Sequence, residues 1–61
     1  MRPQSGSMVY WRFKENKASE YRFGYVSYQG NTNMARMGRW NGDRVGGLVV
    51  DVTEIDWKPY A

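Results

Sequence analysis

The chain contains no cysteine and no histidine. Without cysteine it has neither a disulfide nor a thiolate ligand. Without histidine a zinc site would have to be built from carboxylates alone, a poor donor set for that ion. No metal and no cofactor is therefore expected. Ser5, Ser7, Ser19 and Ser27 have no imidazole to activate them, which excludes a serine triad. Long apolar runs are also missing. The longest aliphatic stretch is Leu48-Val49-Val50, far below the ~20 residues of a membrane-spanning helix. No signal-peptide pattern opens the chain, so a cytoplasmic location without membrane contact is expected. Gly38, Gly42, Gly46 and Gly47 lack the spacing of a phosphate-binding loop.

What is present is aromatic and basic. The 61 residues include three Trp, five Tyr and two Phe. A chain of this length forms one domain and buries only about 60% of its unfolded surface. With no disulfide or metal, its stability must come from dense aromatic packing or from self-association, so a homo-oligomer is expected. The net charge is +3 and unevenly placed. Up to residue 40, seven basic side chains face two acidic ones; beyond it, two face four. A basic part with a separate acidic part suits an anionic partner or head-to-tail association.

Residues 1–7 are polar, with Pro3 and Gly6, and read as a disordered tail or cloning remnant. Residues 8–61 form the domain. Period-two alternation marks strands at residues 9–14, 20–29 and 34–40. In the first, Val9, Trp11 and Phe13 oppose Tyr10, Arg12 and Lys14. In the second, Tyr21, Phe23 and Tyr25 oppose Arg22, Val26 and Tyr28, with Gly24 marking a bend. In the third, Met34, Arg36, Gly38 and Trp40 oppose Ala35, Met37 and Arg39. Asn41-Gly42 opens a loop over 41–47. A fourth strand follows at 48–52. Thr53, with Asp56 three residues on, resembles a capping box and predicts one helical or 3-10 turn. A last edge strand covers 57–60, since Pro59 cannot donate to a ladder. Trp11, Phe13, Phe23, Val50 and Ile55 are the expected core.

Five short strands with one 3-10 turn before the last give an all-β domain. The layout over roughly residues 8–60 resembles a small SH3-like (Tudor-like) barrel; an OB-like barrel is the alternative. The resemblance is one of topology and carries no motif residues. It implies a binding module. The carboxylates Asp51, Glu54 and Asp56 are more readily read as strand-surface and capping groups than as an acid–base pair. An enzyme is not expected. The remaining enzymatic route is an oligomeric pore, as in plasmid-type dihydrofolate reductases, which the chain resembles only in size and expected fold.

The expected site is a basic–aromatic sheet face made of Tyr10, Arg12, Lys14, Arg22, Tyr28, Arg36, Arg39 and Trp40. Cations neutralise phosphates and rings stack on bases, so nucleic acid is the first expected partner. The second is a protein or peptide, because Tyr, Trp, Met and Arg are the residue types enriched at interfaces. A barrel of this size would also suit a phage- or plasmid-encoded regulator of a host protein.

Overall fold

A computed structural model describes residues 1–60. Five strands form one antiparallel sheet: β1 (Met8–Phe13), β2 (Arg22–Tyr28), β3 (Met34–Gly38), β4 (Leu48–Asp51) and β5 (Ile55–Pro59). Their order across the sheet is β4-β3-β2-β1-β5. The all-β expectation holds. A loop, with no helix, fills residues 39–47 between β3 and β4, where an OB-like barrel would carry one.

The sheet is curled, and chain length alone requires it. β4 and β5 occupy opposite edges, yet only Val52–Glu54 separates them in sequence. A flat sheet of five strands is about 19 Å wide at ~4.8 Å per strand. Four Cα steps reach at most ~14 Å fully extended, and this connection is a compact 3-10 turn. The edges must therefore approach each other. β2 makes the bend: Arg22 to Tyr25 pair with β1, and Tyr25 to Tyr28 pair with β3. No ladder joins β4 to β5, so hydrogen bonds do not close the sheet.

The concave side holds the core of Val9, Trp11, Val26, Ala35, Met37, Val50, Val52 and Ile55. Phe13, Tyr28 and Trp57 pack against it, half-buried. Trp11 is the largest of the fully buried side chains. Its indole lies against Gly24, where a Cβ would come within 2.8 Å of Trp11 Cδ1. The glycine expected to bend the strand thus also makes room for the central ring.

Several expectations are corrected. Phe23 is not core. It pairs with Tyr10 and shares that residue's outward side, because β2 presents Gly24 and Val26 inward. Residues 1–7 are packed against the domain. Pro3 is among the fully buried side chains, and Gly6 N–H donates to Val26 O at 2.8 Å while Val26 N–H donates to Ser7 O at 2.9 Å. Arg2 donates to Asn33 Oδ1 at 2.8 Å. The 3-10 turn is capped by Asp51 rather than Thr53: Asp51 Oδ1 accepts from Thr53 N–H at 2.9 Å and Thr53 Oγ1–H at 2.7 Å. These bonds hold the Asp51 carboxyl below its ordinary range, the hydroxyl contributing most. Asp56 caps nothing and lies in β5. Trp40 lies beyond β3, in the loop.

Candidate nucleic-acid interface

Strand register decides which side chains share the convex side. Tyr10 faces Phe23 on one flank and Lys58 on the other. Arg12 faces Asp56. Alternation along β2 adds Tyr25 to this side. The rings form a connected group. Tyr60 sits 5.2 Å from Tyr10 and 5.3 Å from Phe23 between centroids. Tyr21 lies between two cations, with Arg12 at 4.4 Å and Lys58 at 4.5 Å from its ring centroid. Tyr25 is buried outside the core cluster. Tyr10, Tyr21 and Phe23 are half-buried, while Tyr60 and Lys58 are exposed.

The cations on this side are not equivalent. Arg12 Nη1 donates to Lys17 O at 2.8 Å, and its Nε lies 3.6 Å from Asp56 Oδ2. Arg12 is thereby committed to holding the loop after β1. Lys17 also reaches Asp56, at 3.3 Å, but remains largely exposed. Lys58 contacts only a ring among these groups and presents its charge outward. Arg36 is on the convex side of β3, opposite Ser27 and Val49, and donates to Val45 O at 3.0 Å.

The eight residues expected to share one wall are distributed over several surfaces. Tyr10 and Arg12 belong to the convex aromatic group. Arg36 is on the same side but two strands away and several residues along. Lys14 lies just past β1, where Nζ donates to Thr53 O at 3.1 Å. Arg22 is on the opposite side, because it pairs with Trp11 and its guanidinium covers that ring, 5.0 Å from the centroid. Tyr28 also faces inward. Its hydroxyl donates to Pro3 O and Arg2 stacks on its ring at 4.1 Å. Burial raises the Tyr28 pKa above that of an ordinary phenol, against the opposing charge of Arg2. Arg39 and Trp40 lie in the loop after β3.

That loop is built on Asp43. Its side chain is buried. It accepts from the backbone N–H groups of Arg39, Val45 and Gly46 at 3.0, 3.2 and 2.8 Å. Those donors, Arg39 N–H first, hold its carboxyl below the ordinary range. Gly42 takes a positive φ of 95° in the turn closed by Asp43 N–H to Trp40 O. Trp40 is left exposed at 59%, as are Val45 at 86% and, at the start of β4, Leu48 at 46%.

Tyr21, Phe23, Tyr25, Lys58 and Tyr60 were not among the expected site residues. The alternation of Tyr21, Phe23 and Tyr25 is visible in sequence. Their place next to Tyr10 depends on the β1–β2 register, which alternation does not set.

Among the described residues, no helix is long and apolar enough to cross a membrane. The fold and site define a small all-β chain with an aromatic, cation-flanked convex sheet face. No family model, curated protein or solved structure matches it.

Proposed function

We propose that this chain is a non-enzymatic module, an SH3-like barrel that binds single-stranded nucleic acid on its convex sheet face. The supporting observation is the group Tyr10, Phe23 and Tyr60, joined ring to ring outside the core, with Lys58 and Lys17 at its margin. Rings left half-exposed on a sheet offer stacking surface that a chain of this size would otherwise use for its core. Each base–ring stack is worth ~1–3 kcal/mol. Stacking needs unpaired bases, so single strands are favoured over duplex. The barrel reading rests on the strand order, the partner switch in β2 and the 3-10 turn before β5.

With Arg12 and Lys17 both engaged by Asp56, Lys58 and Arg36 remain for phosphates. Two such contacts on a single strand give a log–log salt slope of roughly −1.4. The test is oligothymidylate binding across a salt gradient. Lys58→Gln should flatten the slope, and Tyr60→Ser should weaken binding about tenfold at every salt concentration. Binding that ignores both substitutions would overturn this reading.

A second reading, protein recognition, is favoured by the exposure of three large apolar side chains, Trp40, Val45 and Leu48, in and just after the 39–47 loop. It predicts weak salt dependence and loss of partner binding in Trp40→Ala.

A further inference from the structure

A cleft of about 330 Å³ lies at one end of the sheet, lined by Trp11, Arg22, Phe23, Met37, Arg39, Gly47 and Leu48. Antiparallel pairing creates it. Tyr25 of β2 lies opposite Gly38 of β3, so the start of β2 and the chain leaving β3 meet at the same end of the sheet. Arg22 comes from the first and Arg39 from the second. Trp11 forms the inner wall at 1% exposure, and its Nε1–H has no hydrogen-bond partner among the described residues. A buried donor left unsatisfied costs ~1–3 kcal/mol, so its lack of a partner calls for an explanation.

The charges around the cleft are positive. Arg22 is exposed, with no carboxylate in ion-pair range among the described residues. Arg39 Nε lies 3.7 Å from Asp43 Oδ2. That carboxylate also accepts three backbone N–H groups, which keep it ionised, so Asp43 offsets part of the Arg39 charge and Arg22 is the unpaired cation of the cleft. The Arg39 guanidinium rests against Gly46, where a Cβ would come within 2.5 Å of Nη2. Gly46 thus leaves room for the Arg39–Asp43 pair at the cleft's rim.

We propose that this cleft binds a phosphate monoester, with Arg22, Arg39 and Trp11 Nε1–H as its donors and Met37 and Leu48 against the attached organic group. Three donor groups on three chain segments suit the three terminal oxygens of a phosphate. A carboxylate offers two oxygens in one plane and half the charge. Arg22 is exposed and can swing aside from the Trp11 ring to admit the ligand. Phe23 borders both this cleft and the convex ring group, but the three donors lie outside that group, and the site does not rest on the function proposed for it.

The test is a titration of ¹⁵N-labelled protein with phenyl phosphate. The three Trp indole N–H signals would be assigned with Trp40→Phe and Trp57→Phe variants. The Trp11 indole proton is expected to move downfield and saturate. Arg22→Gln and Arg39→Gln, both at exposed positions, should each weaken binding at least tenfold. Lys14→Gln, a cation away from the cleft beside Thr53, should leave it unchanged. A Trp11 signal that stays still, benzoate binding as tightly as phenyl phosphate, or undiminished binding by the double arginine variant would overturn the proposal. Oligothymidylate with and without a 5′-phosphate distinguishes the source. A Trp11 shift that needs the 5′-phosphate identifies a strand end. A shift with phenyl phosphate and none with either oligonucleotide identifies a free small molecule.

Discussion

Gly24 and Asp43 show how single residues hold this small domain together. Gly24 pairs with Val9 in the ladder and lies under the Trp11 indole. A methyl group there would push the core's largest ring out of place. Gly24→Ala should therefore destabilise by about 1–3 kcal/mol, the usual range for overpacking. Urea denaturation with an unchanged m-value would check it. Asp43 acts through its charge. Its folded pKa is depressed, so its contribution is present above the ordinary carboxyl value and lost as pH falls through the folded one. Trp40 is in the same loop and reports the change. Its fluorescence should shift on acidification, and Asp43→Asn should loosen the loop at neutral pH and remove the acid transition.

At the scale of elements, the strands were legible and their partnerships were not. Period-two alternation located the first three within a few residues, because each has one wet and one dry side, and an apolar β-branched run and Pro59 marked the last two. Alternation also sorted side chains correctly within β1, β2 and β3. It could not say which side of β2 joins which side of β1. Choosing the wrong one put Arg22 and Tyr28 on the binding wall and Phe23 in the core. The Thr53 cap failed because the turn begins at Val52, so Asp51 takes the N-cap position and Thr53 becomes its donor through both N–H and hydroxyl. The N-terminal segment was misread because its composition is polar, whereas its attachment is largely through backbone hydrogen bonds and the buried Pro3 ring. Tyr28 secures that segment through Pro3 O. Tyr28→Phe should cost about 0.5–1.5 kcal/mol and speed proteolysis within residues 1–7 while leaving the strands protected. With its pKa raised by burial, Tyr28 contributes fully below the ordinary phenol value. That contribution is lost as pH rises through the folded one, so the segment should loosen in alkali.

As a whole, the molecule has two chemically different sides produced by one curl. Curling gathers the aliphatic residues and Trp11 inside and leaves a second set of rings on the convex side, with cations at their margin. That division depends on β2 changing partners at Tyr25, and the proposed nucleic-acid reading follows from the rings it leaves outside. The modest net charge of +3 fits a surface that works by stacking more than by phosphate neutralisation. The most direct test is a chemical-shift map of ¹⁵N- and aromatic-¹³C-labelled protein titrated with oligothymidylate at low and at moderate salt. The account predicts that perturbations concentrate on Tyr10, Tyr21, Phe23, Lys58 and Tyr60 and persist in part at moderate salt. Perturbations confined to the 39–47 loop, or none at either salt concentration, would contradict it.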